Sequence, residues 1–364
     1  PMDLSKRWFV LFLITFLLAS CSEPESTPTV TPEPVVEETE ATSTPPEETA
    51  VPDPTATIEL PTPTPQLPVQ IAPIAANNQL GNVRGVRVSG SYAYLADSSG
   101  GLRVVEISDP ANPQEVGAFE PTGSTAGQGV YYAEPYLYLA DGLGLEILDL
   151  SDPTNPVKLG FYHPPGYTIK VQRVDQLIYT ANREGGLGIA DISDPANPLP
   201  VSIYFDVGTD HVLDVFVSGA YAYVAMEDQG LRVVDVSDPA NPQEVGFFDS
   251  AGTAESVQVL GSHAYLADGE GGLRILDVAD PTRPQEIGFY ETDGHAQEVV
   301  LADGYAFIGV ESSLLVLDVA DPQIPELAGE YDLAGVVWEI AVVDGYVYVA
   351  NANHGLLILQ WAAE

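Results

Sequence analysis

Two histidine–acid sets carry the most obvious chemistry in this chain: His211 with Asp214, and His295 with Glu298. An imidazole beside a carboxylate can serve as general base and acid near neutral pH, and two such sets can share a metal ion. The spacing opposes both uses. Residues three apart on an extended strand face opposite sides of the sheet, so neither pair converges by itself. His211 and His295 meet only if the fold brings them together across a common opening. Arg84, Gln128, Glu255, Gln297 and Trp338 share one equivalent position at the entry to an aliphatic segment. Tyr167, His211 and His295 share another, two residues earlier. These positions mix charge, amide and aromatic surface, which is what a binding site needs. Arg84, Gln128, Tyr167, His211, Glu255, His295 and Trp338 are therefore the candidate ligand-binding residues, and Tyr167 and Trp338 offer flat faces for stacking a sugar ring.

Other chemistry is sparse. The Gly-Gly pairs at 100–101, 185–186 and 271–272 follow strands rather than open helices, so they are not phosphate-binding loops. There is no serine nucleophile elbow. Asp97-Ser-Ser-Gly-Gly and Asp268-Gly-Glu-Gly-Gly share only part of the ligand spacing of a calcium loop. The residues point to no metal, no cofactor and no assigned catalytic group.

The elements that must position these residues come from a repeat. LRVVEISDPANP (102–113), LEILDLSDPTNP (145–156), LGIADISDPANP (187–198), LRVVDVSDPANP (231–242), LRILDVADPTRP (273–284) and LLVLDVADPQIP (314–325) recur every 41–44 residues, and LLILQW (356–361) is a truncated seventh copy. A period of this length with only strand-like content predicts a radial or stacked repeat. Each Asp-Pro is preceded three residues earlier by a second acid: Glu106, Asp149, Asp191, Asp235, Asp277 or Asp318. Six copies of one catalytic dyad make no chemical sense, whereas turn capping does. The Asp side chain accepts from N–H groups two residues on, and Pro presets φ for the turn.

Each unit divides into four short strands rich in Val, Ile, Tyr and Leu, bounded by Gly, Pro, Asn and Asp. The second strand recurs seven times, from YAYLAD (92–97) to YVYVAN (346–351), one more than the Asp-Pro turns. The seventh unit stops after its third strand, and Leu67-Pro68-Val69-Gln70-Ile71 precedes the first unit with nothing before it to pair. The expected fold is all-β: a seven-bladed β-propeller over 67–364, its ring closed by an N-terminal strand that completes the last blade. Closure also covers strand edges that would otherwise invite aggregation. The Asp-Pro turns then share one face, the bottom. The unlike loops leading into the inner strands share the other, the top, where recognition is to be sought.

Ahead of the propeller, Lys6 and Arg7 precede an apolar run from Trp8 to Leu18, too short to span a bilayer, and Cys21 is the only cysteine. Leu18-Ala19-Ser20-Cys21 resembles a bacterial lipobox, so 1–20 is expected to be a lipoprotein signal peptide and Cys21 the lipidation site. Residues 21–66, rich in Pro, Thr and Glu, are expected to be a disordered linker. With 53 Asp plus Glu against 12 Lys plus Arg, the net charge is −41, which argues against nucleic-acid binding and against docking on anionic headgroups.

The third strand with its turn, L-x-I/V-x-D-I/V-S-D-P, resembles the signature of the LVIVD repeat family, six times in full; the seventh copy departs from it, with Gln360 where the acid should stand. The resemblance implies a β-propeller of secreted or cell-surface proteins and brings no catalytic residues. The chain is thus expected to be an extracytoplasmic, lipid-anchored binding module whose partner is an envelope or extracellular protein, polymer or glycan. The alternatives are a hydrolase or lyase working through His211 and His295 at the channel mouth, and a structural envelope spacer.

Overall fold

The computed structural model describes residues 69–77, 79–123, 127–204 and 211–363. The signal peptide, Cys21 and linker expected over 1–66 lie outside them. Seven antiparallel sheets of four strands each form a seven-bladed β-propeller. In blades 1 to 6 the strands follow chain order from the axis outward. The inner strands are Val83–Ser89, Gly129–Ala133, Lys170–Val174, Asp214–Ser218, Ser256–Leu260, Ala296–Ala302 and Val337–Val343. Each packs beside the next, and the last beside the first, so they surround a central channel.

The seventh blade is completed from the other end of the chain. Val69–Asn77 pairs antiparallel with Leu356–Ala363, placing Val69 opposite Ala363 and Ile71 opposite Trp361. This is the closure expected from the missing seventh turn. Val69 and Trp361 also reach the sixth blade, where the indole meets the rings of Phe307 (5.1 Å) and Tyr305 (5.7 Å) edge-on.

What holds the ring is the sandwich between blades. The second strands, such as Ala93-Tyr94-Leu95-Ala96, are buried on both faces. Seven hydrophobic clusters result, one at each blade–blade junction. Each fully buried Leu, Ile or Val in them contributes roughly 1.5–3 kcal/mol.

The Asp-Pro turns are structural, as their repetition implies. The Oδ1 atoms of Asp109, Asp152, Asp194, Asp238, Asp280 and Asp321 accept from the N–H two residues on at 3.0–3.2 Å. The upstream acids do the same: Asp149, Asp191 and Asp235 accept from the N–H of Ser151, Ser193 and Ser237, and the serine hydroxyls and amides hold all three carboxyls below their ordinary range. Each turn then seats against the outer strand of the preceding blade. A Cβ on Gly246 would lie 2.3 Å from the carbonyl oxygen of Pro281, so a side chain there requires the turn or the strand to shift. In the third blade Ser202 stands at the same place, and its hydroxyl donates to the Pro239 carbonyl at 2.6 Å.

Candidate functional site

A β-bulge at the top of the inner strands decides what faces the channel. In blades 1, 6 and 7 the pairing with the second strand skips Arg84, Gln297 and Trp338. Such an extra residue breaks strict alternation, so two successive side chains point toward the axis. The upper ring is Arg84, Gln128, Ile169, Leu213, Glu255, Gln297 and Trp338, one residue from each blade, and all seven line a cavity of about 350 Å³ at the channel mouth. The four candidates Arg84, Gln128, Glu255 and Trp338 are therefore together. Lys170, Arg183, Glu227 and Glu298 complete the lining.

The upper ring is partly prearranged. Arg84 donates from Nη1 to Oε1 of the buried Gln128 at 2.8 Å, and its guanidinium lies 4.9 Å over the Trp338 ring. Arg183 sits 6.0 Å from the ring of Tyr167, which is Tyr167's place in the structure: beneath a lining residue rather than in the lining itself.

Directly below runs a second ring: Gly85, Gly129, Lys170, Asp214, Ser256, Glu298 and Glu339. Its long side chains meet across the axis. The Lys170 ammonium lies 2.9 Å from both Glu298 Oε2 and Glu339 Oε1. Glu339 also accepts from Arg87 Nη1 at 2.8 Å and from the Val86 N–H at 2.8 Å. Asp214 accepts from Ser256 Oγ at 3.1 Å and the Val257 N–H at 3.0 Å. The two glycines make room: a Cβ on Gly85 would stand 3.0 Å from Glu339 Oε2, and one on Gly129 would lie 2.2 Å from the Ile169 carbonyl. Lys170 and Glu298 floor the mouth cavity and also roof a smaller chamber of about 90 Å³ below.

Burial and charge split the two glutamates. Burial penalises both carboxylates, but Glu339 has Arg87, Lys170 and a backbone N–H, which together lower its pKa. Among the described residues Glu298 is paired with Lys170 alone, and it faces Glu339 and Asp214. Its carboxyl is pushed up to about 7, chiefly by burial. The same carboxylates raise the pKa values of Lys170 and Arg87 despite burial.

His211 does not pair with Asp214, nor His295 with Glu298, as the strand spacing implied. His211 Nδ1 is 3.1 Å from Glu227 Oε1 in the fourth blade, and His295 Nε2 is 2.9 Å from Glu255 Oε1 between the sixth and fifth. Asp214 and Glu298 turn instead into the second ring; in the sixth blade the bulge at Gln297 re-aims Glu298 toward the axis. The two histidines stand behind separate glutamates and neither lines the cavity. Among the described residues, no group of three or more His, Cys, Asp and Glu side chains is arranged to hold a metal ion. The acids of the glycine-rich hairpins are also occupied. Asp97 accepts from the Ser99 N–H at 2.9 Å, and Asp268 accepts from the Ser250 hydroxyl and the Gly252 N–H.

Spacing overlooked Lys170, Glu298, Glu339 and Arg87 as a connected set. A signal was present: Lys170 is one of only 12 basic residues, placed where an aliphatic inner strand begins. Strict alternation hid it, since the consecutive residues Ile169 and Lys170 both line the channel mouth.

Seven four-stranded blades around an axial channel, with a polar cavity where the inner strands begin, define a β-propeller. The fold is similar to the WD40 β-propeller domain of Doa1 (TM-score 0.65, 14% identity, 81% of this chain and 98% of that chain covered). It is also similar to the β-propeller domain of Cps50 (Swd1) from Myceliophteria thermophila (0.65, 11%, 81% and 100%) and to the computationally designed protein Ika8 (0.57, 10%, 79% and 98%). At such identities the likeness concerns the fold alone. A comparison with curated proteins finds no match. The chain belongs to the LVIVD repeat family, whose model matches seven times, at 80–120, 127–163, 165–206, 211–250, 251–292, 293–333 and 334–359.

Proposed function

We propose that the protein is an extracytoplasmic binding module, anchored to a membrane through lipidated Cys21, that engages an envelope protein, polymer or glycan through the top of the propeller. One observation carries this reading. At the upper ring, seven equivalent positions hold seven side chains of mixed charge, amide, aliphatic and aromatic character around one cavity, while the turns of the opposite face are near-copies of each other. Equivalent positions that diverge around a concavity are where a rigid repeat scaffold acquires specificity. The cavity volume lies in the range of small-ligand pockets, ~300–1,000 Å³. Hydrolase or lyase chemistry through His211 and His295 has no such support, since each histidine is held by its own glutamate away from the lining.

Co-sedimentation of the full chain with isolated cell-envelope fragments tests the reading. Trp338→Ala and Gln297→Ala should abolish or strongly weaken retention, whereas Gln114→Ala and Gln243→Ala, exposed beside the bottom turns, should leave it intact. Retention lost through the bottom substitutions, or untouched by the top ones, contradicts it; the second result is what a structural spacer gives.

A further inference from the structure

Charge in the mouth cavity is matched unevenly. Its acids have cationic or imidazole partners: Glu298 with Lys170 at 2.9 Å, Glu227 with His211 at 3.1 Å and Glu255 with His295 at 2.9 Å. Arg84 and Arg183 line the same cavity, and among the described residues neither is in an ion pair with a carboxylate. In a chain with 53 acidic and 12 basic residues, two guanidiniums without an acid at one site are a marked departure from composition. Both are fixed in place. Arg84 is held by Gln128 and lies over Trp338. Arg183 lies near Tyr167, and its backbone exchanges two hydrogen bonds with Val212 at 3.0 and 3.2 Å. Among the described residues the Nε donor of each is buried without a partner, and so is the acceptor Oε1 of Gln297.

Planar forks of this kind recognise carboxylates through paired N–H donors. The remaining lining adds acceptors, on Glu227, Glu255 and Gln297, suited to hydroxyl donors, and the apolar surface of Trp338, Ile169 and Leu213. A carboxylate that also carries several hydroxyl groups and an apolar face satisfies all three features. We propose that the mouth cavity binds an acidic sugar residue, its carboxylate held by Arg84 and Arg183 and its hydroxyls by the surrounding acceptors. This names the ligand class of the top-face site and rests on the binding-module reading above.

Calorimetric titration of the full chain with sodium glucuronate, glucose, acetate and inorganic phosphate tests it. One glucuronate should bind per chain, more weakly as salt rises, with glucose and acetate each at least about ten-fold weaker because each offers only part of the recognised group. Arg84→Gln and Arg183→Gln should each weaken glucuronate about ten-fold or more, and Arg84→Lys less, with near-UV dichroism confirming that the variants stay folded. No glucuronate binding at millimolar concentration overturns the assignment. So does phosphate binding as tightly as glucuronate, or folded Arg84→Gln and Arg183→Gln proteins that bind like the parent. If glucuronate fails while Trp338→Ala still releases the protein from envelope fragments, only the sugar assignment falls; if both fail, the binding-module reading falls with it.

Discussion

The second ring gives Glu298 and Glu339 opposite fates in one channel, and this has a pH consequence. A carboxyl whose pKa in the fold exceeds its unfolded value binds its proton more tightly in the native state. Stability therefore falls as pH rises from about 4.5, the ordinary glutamate value, to about 7, and the cost is complete above that. Glu339, lowered by Arg87 and Lys170, acts in the reverse sense: its contribution is present above the ordinary glutamate range and is lost as pH falls through its folded value. The general self-repulsion of a −41 chain also weakens the fold as pH rises, so the variant, not the parent alone, isolates Glu298. We expect Glu298→Gln to shrink the fall in stability between about pH 5 and pH 8 by an amount on the order of a few kcal/mol. Parallel Tm–pH curves for parent and variant would show that Glu298 carries no such penalty.

At the scale of elements, the Asp-Pro turn is a docking device between blades as well as a cap. Its proline carbonyl sits against an outer-strand glycine of the preceding blade, 2.3 Å from where a Cβ on Gly246 would stand. Gly246→Ala must push the fourth and fifth blades apart, at a cost of about 1–3 kcal/mol in denaturant unfolding. Ser202→Gly at the matching place in the third blade loses one hydrogen bond and should cost less, about 0.5–1.5 kcal/mol. If Gly246→Ala were neutral, the close approach would not limit the blade spacing. This level was the most legible in the sequence. The period gave the blades, the missing seventh turn gave the strand Val69–Asn77 its partner, and the six acids announced capping. The bulges were not legible, because an extra residue in a strand changes which side chains face the axis without changing the pattern of aliphatic residues. That is why the upper ring was found at Arg84, Gln128, Glu255 and Trp338 while Glu339, one residue past the bulge of the seventh blade, was not; Lys170 was missed because it lines the same cavity as its neighbour Ile169, against strict alternation.

For the whole molecule, seven similar blades make a rigid ring whose two faces answer to different demands. The bottom repeats one capped turn; the top presents at least one side chain per blade to a shared cavity. In a strongly acidic chain, Arg84, Arg87, Lys170 and Arg183 are gathered on the axial channel, and two of them are left without an acid among the described residues. The most direct test is hydrogen exchange of the full chain with and without solubilised envelope polymer. The account predicts slowed exchange in the segments entering the inner strands, around 83–85, 127–129, 167–170, 211–214, 254–256, 295–298 and 336–339, and unchanged exchange at the Asp-Pro turns. Slowed exchange at those turns with the channel mouth unaffected, or no change anywhere, would contradict it.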